Sequence, residues 1–583
     1  MPATPIKPGF DPSPAQRLLI ETPGSQVVRA CPGAGKTQSV AERFWNRPGL
    51  ENDRRGVALL SFTNAAIAAA EARCRDHPDL LRAPNFLGTI DRFINRYIVG
   101  PLRTAERGEP PTFVNTWDAL PESEYGARAD WQLRLNLAWF SFALDGTPTL
   151  DRVPGDLKDR VLRRAAPIMA SVLADAKTRW WSLTTRRGYV DCELARHLMR
   201  SYFANRSHRE RLKRQMAHRF GEVIIDEYQD SSDDDAYLIR FLKWCDLSIV
   251  MVGDVDQAIY GFRQDTPADL DALANLVKAG KPLDGNFRST PAICELVDSL
   301  RHGPRTDVAC GRWQDDSRPV YVLRTNRPPE AAGKITDLAA RHGFMPDQIV
   351  VLSHGGNDAR TYAGAAKPPE PTSAGVERLA QAAATICDGR AEPRARVQAM
   401  AAFENIMCSL GKDGLGDLPK DDFLVLCDLN PRQFRTGCLR LARCAAPYEM
   451  TPREYRAAIK SGVAGLGWDT LFPNILRKLR VTKGVGWQHA PASDISAALA
   501  WRTVHGYKGL QSPAVAVVIP KPSGGGLQEG VSHWEDQKDS EARRVLYVAA
   551  SRAEQLLMLV VDNSQFATVV EILKRDDVPY EEA

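Results

Sequence analysis

The chain has 583 residues with 44% hydrophobic and 25% charged side chains, ordinary for a globular protein and too long for one core, so roughly three to four domains or subdomains are expected. A net charge of +4 is too small by itself to announce a nucleic-acid partner. No apolar run approaches a membrane span, and the N-terminal MPATPIKPGFDPSP lacks a signal peptide's apolar core, so the composition predicts a cytoplasmic protein with no membrane partner. Eleven scattered cysteines without a CxxC pair argue against a disulfide framework or a zinc site.

In chain order, Gln26-Val27-Val28-Arg29 reads as a short strand. The loop Ala30-Cys31-Pro32-Gly33-Ala34-Gly35-Lys36-Thr37 follows, and then a helix from Gln38 to Trp45. Glycines there let the backbone wrap a phosphate with Gly33, Ala34 and Gly35 amides pointing inward. Lys36 can reach the β- and γ-phosphates, and Thr37 can offer its hydroxyl to Mg²⁺. Ala30 stands where the strict pattern has its first glycine.

Residues from about 101 to 205 are read as mainly helical, on an apolar rhythm through Trp131, Leu133, Leu135, Leu137, Trp139 and Phe140. Between Arg196 and Arg219 lie eight Arg or Lys against the single acid Glu210. A solvated helix face and a phosphate-contacting surface are both open readings of that cluster, which includes Arg206, Arg209, Arg211 and Lys213.

Val223 to Asp230 reads as a buried strand ending in adjacent acids. At the carboxyl end of a parallel strand Asp226 can hold a metal, and Glu227 can take a proton from water, a role worth roughly 10²–10⁴-fold in rate. Val252-Gly253-Asp254-Val255-Asp256-Gln257 ends a similar strand, and Gln257 is of the type that senses a γ-phosphate or orients water. Beyond it Tyr260 and Phe262 are open to two readings: core packing, the commoner role for such aromatics taken alone, and flat faces for stacking bases. The runs GVALLSF, EVIIDEY, LSIVMVGD, QIVVLSH and AVAVVIP alternate with helical stretches, the pattern of an α/β fold with parallel sheets. Residues 366–497 open on a Pro-rich stretch and continue as broken helices.

Further segments make a resemblance specific. Gln16 lies in FDPSPAQRLLI, Phe62-Thr63-Asn64-Ala65-Ala66 and Gly88-Thr89-Ile90-Asp91-Arg92-Phe93 follow the loop, and Asn286-Phe287-Arg288-Ser289-Thr290 comes after the central strands. Thr503 to Leu510 (TVHGYKGL) and Arg543 to Ala553 (RRVLYVAASRA) close the set. Their order and spacing resemble the superfamily 1 DNA helicases of the UvrD/Rep/PcrA type. The compact form and the IDEYQDS and VLYVAASRAEQLLMLVVDN segments look most similar to the B subunit of the Gabija anti-phage system.

The resemblance implies two RecA-like P-loop domains with two mainly helical insertions. Residues 1–100 and 206–285 would form the ATP-site domain, 286–365 and 498–583 the second, with 101–205 and a reduced 366–497 inserted. It implies that Gln16 reads adenine, that Phe287 stacks on it, and that Arg288 and Arg552 reach the γ-phosphate. Phe62, Thr63, Asn64, Thr89 and His505, with Tyr260 and Phe262, would contact DNA. The implied activity is an ATP- and Mg²⁺-dependent translocase or helicase, 3′ to 5′ on single-stranded or tailed DNA, in defence or repair. The alternative is a nucleotide- and DNA-sensing ATPase that regulates a partner endonuclease, of the Gabija A type, with little unwinding. Gln511 and Ser512 depart from the family pattern, which has Glu and an aromatic there.

Overall fold

In the computed structural model the described residues are 10–583 apart from 51–52, 63, 76, 260–266, 304–306, 366–374, 390, 392, 412–422, 425–426, 445–448, 482–486, 488–498 and 522–526. The chain divides into two units, Met1–Arg324 with Tyr507–Ala583, and Thr325–Gly506.

The apolar runs of the first unit become strands buried on both faces. β1 (Gln26–Arg29), β2 (Gly56–Ser61), β3 (Phe86–Thr89), β4 (Phe220–Asp226), β5 (Ser248–Gly253) and β6 (Lys278–Ala279) form one sheet in the order β6-β1-β5-β4-β2-β3. All five pairings are parallel. Parallel neighbours need crossovers, and helices on both faces then leave no room for polar alternation. Val57 to Leu60, Val223 to Ile225 and Ile249 to Val252 are accordingly all buried.

A second, separate sheet in this unit contains β7 (Val320–Thr325), β8 (Ser512–Ile519), β9 (Ala553–Asp562) and β10 (Tyr580–Glu582), adjacent in the order β8-β9-β7-β10. The β8–β9 and β7–β10 pairs are parallel. Lys36 follows a strand of the first sheet and Arg552 precedes a strand of the second, so the chain is α/β with two parallel sheets rather than one contiguous sheet.

Residues 112–150 correct the helical expectation. Glu124–Ala127 pairs antiparallel with Asp130–Asn136, and Phe140–Phe142 with Pro148–Leu150. Leu133 and Leu135 are spaced by two, which puts both on one face of the strand Asp130–Asn136, and both are buried. Helices resume at Gly155–Ala165 and Met169–Trp181, then Cys192–Ala204 and Arg206–Arg219.

In the second unit Ile349–Ser353 pairs in parallel with Ala500–Thr503. The described part of 366–497 is helical, from Gly375–Cys387 to Ile475–Lys478. Its own core gathers Phe403, Phe434, Tyr455 and Trp468, with the Phe434 and Trp468 rings stacked at 5.5 Å.

Candidate active site

The phosphate-loop geometry starts at the end of β1. Ala30 needs no glycine because it still belongs to the ladder: its N–H donates to the Gly253 carbonyl at 2.9 Å, and it bridges Leu283. The turn proper uses Gly33 at φ 71° and Gly35 at φ 69°, left-handed conformations that a side chain disfavours. A Cβ at Gly33 would also lie 2.2 Å from Asn286 Oδ1, so this glycine admits the segment that carries Phe287 and Arg288. The Phe287 N–H donates to the Gly33 carbonyl at 3.0 Å. Helix Lys36–Asn46 then begins, its N-terminal amides and partial positive charge directed at the loop.

At the end of β4 Asp226 is 1% exposed, and Glu227 takes a left-handed φ of 57°, a conformation that a non-glycine residue holds only under constraint. Burial, with the Glu227 charge alongside, pushes the Asp226 carboxyl well above the usual carboxylate range. Although burial opposes it, Glu227 is held below the usual carboxylate range by the charges of Lys36, Lys508 and Arg552 and a hydrogen bond from Gln229. Lys36 Nζ lies 4.0 Å from Glu227 Oε2, and Gln229 Nε2 donates to that oxygen at 2.6 Å.

Gln257, buried at the end of β5, donates Nε2 to Asp254 Oδ2 at 2.8 Å and accepts from Arg552 Nη2 at 3.2 Å. Arg552 is 2% exposed, and burial together with the nearby Arg288 cation lowers its guanidinium to about 9. Arg288 donates Nη1 to the Ser551 carbonyl at 2.9 Å, while its buried Nε has no hydrogen-bond partner among the described residues. The loop Pro32–Gln38, Glu227, Asp230, Gln257, Arg288, Lys508, Gly509 and Arg552 line one cavity of about 260 Å³.

Lys36, Thr37, Glu227, Gln257, Arg288 and Arg552 are thus brought together. Phe287 is 39% exposed beside the loop. Gln16 instead contacts backbone with both ends of its amide: Oε1 accepts from the Ser13 N–H at 2.8 Å, and Nε2 donates to the Ala34 carbonyl at 2.9 Å.

The residues expected at DNA divide. Phe62 is half-buried and lines a separate cavity with Thr89, Asp91, Arg196 and Arg544. Thr89 Oγ1 caps the helix Ile90–Ile94 by accepting from the Arg92 N–H, and Asp91 pairs with Arg196 at 2.9 Å. His505 belongs to the second unit, edge-on to His354 at 5.5 Å. Thr63, Tyr260, Phe262 and the Asn64 side chain lie outside the described residues.

Much of the basic cluster is engaged structurally. Arg196 also pairs with Asp235 and Arg200 with Asp233. Arg209 and Lys213 lie over the Trp244 ring at 5.5 and 4.4 Å, and Lys213 reaches Asp246 at 3.3 Å.

Sequence reasoning did not single out Lys508, Asp230, Asp254 or Tyr547. Lys508 Nζ contacts both Asp230 oxygens, at 2.6 and 2.9 Å, and the Gln257 carbonyl at 2.8 Å. The signal was available for two of them, since Lys508 sits in TVHGYKGL and Asp230 ends the acidic strand run.

Residues 170–278, which include Asp226, Glu227 and Gln257, match the family model described as UvrD/REP helicase N-terminal domain. The ATP-dependent DNA helicase srs2 of Schizosaccharomyces pombe is 33% identical over 106 residues, 18% of this chain and 11% of that protein. DNA helicase II of Haemophilus influenzae is 26% identical over 371 residues, 59% of this chain and 48% of its own. The chain therefore spans half or less of these relatives' lengths. The ATP-dependent DNA helicase UvrD2 of Mycobacterium bovis is 21% identical over 590 residues, 95% of this chain and 79% of its own. A solved arterivirus nonstructural protein 10 helicase aligns over 92% of this chain and 59% of its own, at TM-score 0.30 and 11% identity. The family match and the helicase relatives support the superfamily 1 UvrD-like class for this chain.

Proposed function

We propose that this chain is an ATP-driven DNA translocase or helicase, acting 3′ to 5′ on single-stranded or tailed DNA in anti-phage defence or repair. One observation carries the reading: Arg288 and Arg552, from segments flanking the second sheet, converge on the phosphate loop of the first, with Arg288 Nε unpartnered among the described residues. A buried Arg552 guanidinium whose basicity is lowered by burial and by the nearby, partly buried Arg288 cation fits a dense anion between the two, such as a nucleotide's phosphates.

Thr37 and Asp226 are the oxygen donors that would hold Mg²⁺, which when bound would neutralise phosphate charge. The loop amides and Lys36 would bind the phosphates, Phe287 would stack on the adenine, and Gln16 would set the loop beside it. Glu227 would accept the proton of the attacking water, with Gln257 orienting it. Arg288 and Arg552 would stabilise charge on the transferred phosphoryl group, an effect worth roughly 10³–10⁵ in turnover in other NTPases. Phe62, Thr63, Asn64, Thr89, Tyr260, Phe262 and His505 would carry the DNA strand. In this reading residues 101–205 and 366–497 are insertions into the two RecA-like domains.

One contact favours the sensing alternative. Gln511 donates its amide to Glu554 at 2.7 Å, which occupies the side chain where the family pattern has an acid. ATPase stimulated by single-stranded DNA together with strand displacement on a 3′-tailed duplex supports the translocase. Stimulation without displacement supports a sensor acting on a partner endonuclease, and absence of both overturns the reading.

A further inference from the structure

Five side chains form a continuous hydrogen-bonded path from Arg301, at the end of the helix Pro291–Leu300, into the candidate active site. Arg301 Nη2 donates to the Tyr547 hydroxyl at 3.0 Å, and that hydroxyl donates to Asp254 Oδ2 at 2.9 Å. The same oxygen accepts Gln257 Nε2 at 2.8 Å. Arg552 Nη2 closes the path on Gln257 Oε1 at 3.2 Å.

The ends of the path fix every bond direction. Both guanidiniums can only donate, and an ionised carboxylate can only accept. Tyr547 must therefore accept from Arg301, which leaves its single proton for Asp254. Gln257 must turn its NH₂ to Asp254, which leaves Oε1 facing Arg552. With the amide reversed, its NH₂ would meet the Arg552 guanidinium donor to donor, and its oxygen would meet the Asp254 carboxylate acceptor to acceptor. Tyr547 and Asp254 are both buried, so water does not substitute freely for either partner.

We propose that Tyr547 is a positioning residue for the hydrolytic step: through Asp254 it fixes the amide orientation of Gln257 and thereby the placement of the Arg552 guanidinium. This rests on the ATPase reading above. Tyr547 itself does not line the cavity, and its effect reaches the phosphates only through Asp254 and Gln257.

The test compares wild type, Tyr547→Phe, Asp254→Asn and the double variant for DNA-stimulated ATPase, affinity for a fluorescent ATP analogue, and thermal melting. Tyr547→Phe should lower kcat by about tenfold, the scale of one hydrogen bond to a charged group, with KM and analogue affinity within about twofold and the melting temperature nearly kept. Asp254→Asn should cost more, because its amide can donate to Gln257 and permit the reversed orientation. The double variant should be no slower than Asp254→Asn alone, since Tyr547 acts through Asp254. Unchanged kcat in Tyr547→Phe, additive losses in the double variant, or a fall in affinity equal to the fall in rate would each overturn the proposal. A wild type without Lys36-dependent ATPase would overturn the ATPase reading and this inference with it. Normal turnover in both wild type and Tyr547→Phe would overturn the inference alone.

Discussion

Lys508 and Asp230, 278 positions apart, form a buried ion pair, with the ammonium 2.6 and 2.9 Å from the two carboxylate oxygens. Their side chains are 5% and 0% exposed, and the same ammonium depresses the basicity of Glu227. The pair ties the end of β4 to the segment before β8, and so joins the two sheets of the first unit beside the candidate base.

Breaking this pair from one side should be costly, because the surviving charge stays buried. Lys508→Met should destabilise the protein by about 3–5 kcal/mol, the range for removal of one partner of a buried ion pair. Adding Asp230→Asn should recover part of that loss. Urea unfolding of the two single variants and the double checks this; strictly additive losses would contradict it.

Lys36→Ala should abolish ATP turnover while leaving unfolding by urea little changed. Its ammonium sits 4.0 Å from Glu227, too far for a tight pair. Glu227→Gln should bind ATP and hold it without hydrolysis, since the change removes a proton acceptor and keeps the side chain's size. Equilibrium binding and single-turnover assays separate the two, and near-normal turnover by Glu227→Gln would exclude its role as base.

Arg552→Ala should slow hydrolysis by about 10³-fold or more, as for an arginine finger, with only modest loss of affinity. A group that meets charge developed at the transition state acts on rate first. Phe287→Ala should do the reverse and weaken adenine-nucleotide binding first, because in the proposed reading its partly exposed ring would stack on the base. Paired kcat and Kd measurements decide both.

Charge reversal at Arg206, Arg209, Arg211 and Lys213 should leave the salt dependence of DNA binding unchanged, because Arg209 and Lys213 already cover Trp244. Arg209→Glu with Lys213→Glu should instead cost about 1–2 kcal/mol in stability from lost cation–π contacts. A slope of log K against log salt that becomes shallower would return this helix to the DNA path.

The phosphate loop, the acidic end of β4 and the apolar strands were legible in the sequence because each depends on a few neighbouring residues. Gly33 and Gly35 are needed for local backbone conformation, and Val223 to Ile225 for a strand buried on both faces. The segment 124–150 pairs as strands where the sequence reading predicts helix, although its signal is local: Leu133 and Leu135, two residues apart, follow the period of the strand Asp130–Asn136. Ala30 looked like a departure from the loop pattern, yet it lies on the β1 ladder, where no left-handed turn is required.

What only the tertiary structure decided is which distant groups meet. Nothing near Tyr547 in the sequence marks its hydroxyl as the partner of Asp254, and nothing near Lys508 points to Asp230. The same holds for Arg288, whose guanidinium is held by the carbonyl of Ser551. Hydrophobic periodicity and backbone preference act over a handful of residues, whereas these pairings are set by strand order within each sheet and by how the loops at their ends pack.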